Sequence, residues 1–228
     1  MIALLKKDLR LNAVPILGGI LLVATPYLAV FVAALTMKSR PGEIPRDFQV
    51  ASVMGAALAV AITAVVGGAA FALERRERSA DFLALLPVTR DKILFSKLII
   101  GVTFSAPLWL ANLLAYRITI HKVPLGAQAN IAGYFPFAFA AIWMFVAFGI
   151  AWFLSSFLHS PAIAACISIG IVIAAAFLAV YVPQFFSPAF IAGHSDLLVF
   201  AVILSPILIP TAVIFLAGTI YYLLRVEP

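Results

Sequence analysis

Apolar residues along this chain come in long unbroken runs, not in the alternation of a half-buried strand or the narrow stripe of a soluble helix. Six runs, at 14–36, 50–73, 93–116, 131–154, 162–182 and 198–224, are each predominantly apolar. Each reaches about the 20 residues that a helix needs to cross roughly 30 Å of hydrocarbon. None carries a charged residue in its middle. Lys97 and Arg117 fall near run ends, where long side chains are expected to reach the interface. Pro15, Pro26, Pro107, Pro136, Pro206 and Pro210 lie inside runs and read as kinks, which neighbouring helices make tolerable in lipid. Pro206 and Pro210 together make the last run the least regular. The connections at 37–49, 74–92, 118–130, 155–161 and 183–197 are too short to bury a core of their own. The pattern therefore predicts one all-α integral membrane domain over 1–228, with six transmembrane helices. A cleavable secretory leader would have an apolar region of only about 7–15 residues, so the first run is expected to remain as a span.

Composition agrees. The 228 residues are 65% hydrophobic and 11% charged, with a mean hydropathy of +1.17. Soluble domains hold about 25% charged residues, and a water-soluble fold could not cover this much apolar surface. The single Cys166 excludes an intrachain disulfide. A net charge of +6 is scattered along the chain, without the clustered, aromatic-interleaved basic pattern of a nucleic-acid binder.

The basic residues matter more for orientation. Lys6, Lys7, Arg10, Arg75, Arg76, Arg78, Arg90, Lys92, Lys97 and Arg225 fall on one side of the predicted spans, and Lys38, Arg40, Arg46, Arg117 and Lys122 on the other. The positive-inside bias then places both termini and the 74–92 loop in the cytoplasm of a cell (inner) membrane protein.

Several chemistries lack their residues. No Gly-Lys dipeptide occurs, so there is no Walker A phosphate loop. His121, His159 and His194 stand beside no Cys or carboxylate at metal-ligand spacing, and no Gly-x-Ser-x-Gly elbow is present. No catalytic residue, metal ligand or bound cofactor is predicted. Acidic residues fall outside the spans or at their edges, which argues against a proton-driven pump.

The most informative connection is 74–92, ERRERSADFLALLPVTRDK. Ser79 or Asp81 can cap a short helix in which Phe82, Leu85 and Leu86 share one face. Pro87 ends it, and Thr89 is placed to cap the next helix with Asp91 in its first turn. Pattern alone leaves two readings open: an interfacial helix floating in the headgroups, or a docking site.

Glu74 with its basic run, the 85–90 stretch LLPVTR and Lys97 resemble the first cytoplasmic loop of ABC-2 type permeases, the membrane subunits of ATP-binding-cassette transporters. Residues 5–10, LKKDLR, resemble the interfacial helix that precedes the first span in that family. Six spans, cytoplasmic termini and chain length agree. The usual glycine near Ser79 or Ala80 is missing. The resemblance implies a second permease subunit, identical or related, and a separate ABC ATPase subunit that binds ATP and Mg. It implies a short cytoplasmic coupling helix, with Phe82, Leu85, Leu86, Pro87 and Arg90 contacting the ATPase. It also implies transport, usually outward, and short re-entrant helices around 183–195.

Two small-residue stripes stand out at four-residue spacing: Gly55, Ala59, Thr63 and Gly67 in the second run, and Ala162, Cys166, Gly170 and Ala174 in the fifth. Small residues so placed let helix backbones approach closely. Packing within the subunit, a seam with a second subunit and lining of a pathway all fit that spacing. The competing functions are a secondary transporter or channel, a membrane-embedded enzyme, or a scaffold without an ATPase partner.

Overall fold

The computed structural model describes residues 2–36, 44–76, 89–120, 135–181 and 196–224. Seven helices and no strand occur among them: α1 (Ile2–Leu11), α2 (Ala13–Thr36), α3 (Ile44–Arg76), α4 (Arg90–Ile120), α5 (Phe135–Ser155), α6 (Pro161–Tyr181) and α7 (Asp196–Leu224). Five apolar stretches are long enough to cross a bilayer, in α2, α3, α4, α5 and α7; a sixth, Pro161–Phe177 in α6, is shorter. The expectation of an all-helical membrane protein is met, and the predicted runs coincide with α2 to α7. The expected coupling helix and re-entrant segment lie outside the described residues, except that α7 begins at Asp196.

Two boundaries move. Glu74, Arg75 and Arg76 continue α3, and Arg90 begins α4, so the connection between them is shorter than the polar run predicts. At 33 and 31 residues, α3 and α4 are about 50 and 46 Å long at 1.5 Å per residue. Both exceed the hydrocarbon thickness, so their polar ends can project from it.

Helix α3 is the hub. Two-thirds of its apolar window is buried, against about a tenth for α2 and α7, and it packs on α2, α4, α5 and α6. Its neighbours alternate in direction. Gly19 of α2 meets Ile62, and further along α2 Tyr27 reaches Gly55, so α2 runs antiparallel to α3. Lys97, Ser105 and Asn112 of α4 meet Ala70, Thr63 and Gly55 in descending order. In α5, Ala140 packs near Ala56 and Ala151 near Gly67, a parallel run. Ala165 of α6 lies against Gly68, while Val172 and Ala176 line one cavity with Val53, so α6 is antiparallel again. Thr211 and Gly218 of α7 follow Gly149 and Phe153 of α5 in the same direction. The start of α2 and the end of α7 therefore lie at one end of the bundle.

Sequence explains the joints. Pro15 falls in the first turn of α2, where its missing N–H has no intrahelical acceptor to lose. Asn12 links α1 to α2: its N–H donates to the Asp8 carbonyl at 3.0 Å, and its own carbonyl accepts from Ile16 N at 2.9 Å. Thr89 holds the N-cap position of α4, its carbonyl accepting from Lys92 N at 3.0 Å. Ser156 and Phe157 turn the chain tightly between α5 and α6.

Candidate functional site

Four ionised side chains from three helices converge at the end of the bundle where α3 finishes and α4 begins. Glu74 of α3 is 4% exposed and takes a cation on each carboxylate oxygen: Lys7 Nζ lies 2.9 Å from Oε1, and Lys97 Nζ lies 3.0 Å from Oε2. Asp8 of α1, 2% exposed, places Oδ1 3.8 Å from Lys97 Nζ, and its Oδ2 accepts from Ser96 Oγ at 2.7 Å. Lys97 also donates to the Ala70 carbonyl and sits 5.5 Å over the Phe71 ring. Two positive and two negative charges thus balance one another, with Asp8, Glu74 and Lys97 buried and Lys7 partly exposed at the edge. Burial makes each charge expensive alone and tolerable only as a set.

The expectation that Lys97 reaches the interface is overturned. Lys97 is 6% exposed, because α1 folds across the ends of α3 and α4 and supplies Asp8. The register of α1 explains this. Leu4, Asp8 and Asn12, at four-residue spacing, are buried, whereas Lys6, Leu9 and Arg10 face outward. Leu4 packs on Ile93 and, with Tyr222 of α7, forms a small apolar cluster beside the charges.

Two arginines extend these ties. Arg75, one residue past Glu74, donates through Nη2 to the carbonyl of Ser155, the last residue of α5. Arg90, the first residue of α4, donates through Nη1 to the carbonyls of Leu223 at 3.1 Å and Tyr222 at 3.4 Å, in the last turn of α7. A cation at a helix C-terminus satisfies carbonyls that have no intrahelical donor and opposes the negative end of the dipole. The two flanks of the 77–88 segment therefore each hold the end of another helix. Through Arg75, Arg90 and the Asp8–Lys97–Glu74–Lys7 set, the end of α3 and the start of α4 are tied to one another and to α1, α5 and α7. The sequence does not show that these residues meet: Lys7 and Glu74, for example, are 67 positions apart.

Of the expected ATPase contacts, Phe82, Leu85, Leu86 and Pro87 fall outside the described residues. Arg90 is exposed, with the contacts just given. The two small-residue stripes face opposite ways. In α3, a Cβ on Gly55 would collide with the Asn112 amide, which Tyr27 Oη bonds at 2.7 Å. Ala59 is fully buried, Thr63 Oγ1 donates to the Ala59 carbonyl and lies 3.2 Å from Ser105 Oγ, and a Cβ on Gly67 would lie 3.0 Å from the Phe148 carbonyl. In α6, Ala162, Cys166, Gly170 and Ala174 are all exposed, and a Cβ on Gly170 would meet nothing within 4 Å. Among the described residues, no group of three or more His, Cys, Asp or Glu is placed to hold a metal ion.

The sequence model of the ABC-2 family transporter protein matches residues 24–223. No curated protein and no solved structure matches the chain.

Proposed function

The chain belongs to the ABC-2 transporter family, and from that premise we propose that it is the membrane-spanning permease subunit of an exporter driven by a separate ABC ATPase. In this reading it crosses the cell membrane six times with both termini cytoplasmic, pairs with a second permease subunit, and leaves ATP and Mg to its partner. Direction alternates from α2 to α7, which supports an even number of crossings, and the basic residues support the cytoplasmic side.

The observation that carries the proposal is the set of ties around 77–88. An ATPase docked on Phe82, Leu85 and Leu86 would push on a segment whose flanks hold α1, α5 and α7 as well as α3 and α4. A displacement there passes to the bundle as a rigid movement instead of being absorbed by a loose loop. An interfacial helix floating in lipid would have no use for such anchoring. The outward α6 stripe leaves a close-packing face for the second subunit.

Reconstitution tests this reading. The purified chain in proteoliposomes should hydrolyse no ATP, and hydrolysis coupled to transport should appear when the ATPase subunit is added. Robust hydrolysis by the chain alone, retained through every purification step, would contradict it.

A further inference from the structure

Helix α1 divides its charges between two directions. Asp8 turns inward to Lys97, and Lys7 reaches Glu74. Lys6 and Arg10, one turn apart, face outward with Leu9 beside them, and all three are exposed. Among the described residues, no side chain pairs with Lys6 or Arg10. Asp8 is the one acid in α1 and is buried, so no carboxylate of this helix offsets its outer face. The exposed acid Asp91 stands two residues before Ile93, which packs on Leu4, while Asp8 meets Ser96 further along α4. Asp91 therefore lies beside the start of α1, away from Arg10, and has Arg90 and Lys92 on either side in sequence. Cations interleaved with an exposed leucine are what a helix at a lipid surface carries.

The outer face turns apolar where α2 begins. Asn12 N donates to the Asp8 carbonyl and Ile16 N to the Asn12 carbonyl, so helical spacing carries across the joint. Arg10 is followed at that spacing by Val14, Leu17 and Leu21, all exposed. At 1.5 Å per residue, Arg10 is no farther than about 6 Å from Val14 along the chain, and Lys6 no farther than about 12 Å. The headgroup layer is roughly 5–7 Å deep on each side of the hydrocarbon. Arg10 thus falls at the depth of the phosphates and Lys6 at their outer edge, with Val14, Leu17 and Leu21 beside the acyl chains.

We propose that this face binds one anionic phospholipid of the bilayer, its phosphate bridged by Lys6 and Arg10 and an acyl chain lying along Val14, Leu17 and Leu21. A guanidinium can hold two phosphate oxygens at once, and an ammonium adds a compact charge. A zwitterionic lipid brings its own cation to the same place and gains less. A free anion meets the two charges but makes no use of the apolar strip below them. The site requires only that α2 lies in a membrane, so it stands or falls apart from the ATPase-driven reading.

The test is equilibrium binding of phosphatidylglycerol with a fluorescent tail to the full chain at constant detergent, against phosphatidylcholine with the same tails. Phosphatidylglycerol should bind more tightly. Lys6→Gln with Arg10→Gln should weaken it about 25-fold, a basic residue at an anionic lipid surface being worth about fivefold, and should leave phosphatidylcholine binding and thermal unfolding unchanged. Lys6→Arg, which keeps the charge, should retain binding. Arg46→Gln with Arg117→Gln removes the same charge from exposed positions at the opposite end of the bundle and should leave the affinity unchanged. Equal affinity for the two lipids, or equal losses in the two double variants, would overturn the site. Displacement of the lipid by inorganic phosphate at matched concentration would also overturn it, by showing a site for free anions.

Discussion

Lys97 Nζ stands 3.0 Å from Glu74 Oε2, and each side chain is only 5% exposed. Lys97 is also the cation nearest Asp8, whereas Glu74 has Lys7 as well. Removing one member of a buried pair costs about 3–5 kcal/mol, since the other charge is left alone. Lys97→Met should therefore destabilise the purified subunit strongly. Adding Asp8→Asn should recover part of the loss, because the neutral pair Lys7–Glu74 then remains. Thermal unfolding of the single and double variants in detergent checks the order.

Arg90 acts at the surface, on the last carbonyls of α7. An exposed cation at a helix end contributes about 0.3–1 kcal/mol. Arg90→Ala should lower subunit stability by no more than that, yet reduce transport-coupled hydrolysis clearly, because α7 would no longer follow the 77–88 flank. Measured together, unfolding and coupled ATPase rates separate the two effects.

The glycine pair Gly55 and Gly170 should respond in opposite ways to alanine. Gly55→Ala forces its Cβ into the Asn112 amide, and overpacking of this kind costs about 1–3 kcal/mol. Gly170→Ala meets open space and should stabilise the subunit by up to about 1 kcal/mol through helix propensity. Unfolding of both variants in the same detergent decides it.

These sites also show what sequence could and could not reveal. The apolar runs located α2 to α7 because hydropathy is a local property, and the Thr89 cap signal placed the start of α4 correctly. The stripes of α3 and α6 have identical spacing, yet one is buried against Asn112, Ser105 and Phe148 while the other is exposed. Spacing fixes which residues share a face, not what that face meets. Lys97 looked like an interfacial lysine because its partners come from other helices, Glu74 from the end of α3 and Asp8 from α1 near the start of the chain. The period of α1, with Leu4, Asp8 and Asn12 on one side, was the available sign that Asp8 turns inward.

Orientation can be read chemically. With Cys166→Ser in place, single cysteines at Gly42, Ala84 and Gly126 should be labelled by an impermeant thiol reagent on intact cells at the first and third positions only. Cys166 is exposed on α6, so its replacement should leave the packing intact. Labelling at position 84 alone would invert the topology.

Docking of the ATPase on the 77–88 segment is tested most directly by co-purification of the ATPase with Phe82→Ala and Leu85→Ala subunits that insert and accumulate normally. Burying one large apolar side chain in a partner groove is worth about 1.5–3 kcal/mol. Each variant should therefore bind the ATPase about tenfold or more weakly, a factor of ten being 1.4 kcal/mol. Alanine at exposed basic positions nearby should matter less, since exposed ion pairs contribute only about 0–1 kcal/mol. Full ATPase binding and full coupled hydrolysis in both variants would contradict the docking assignment and leave 77–88 as an interfacial helix.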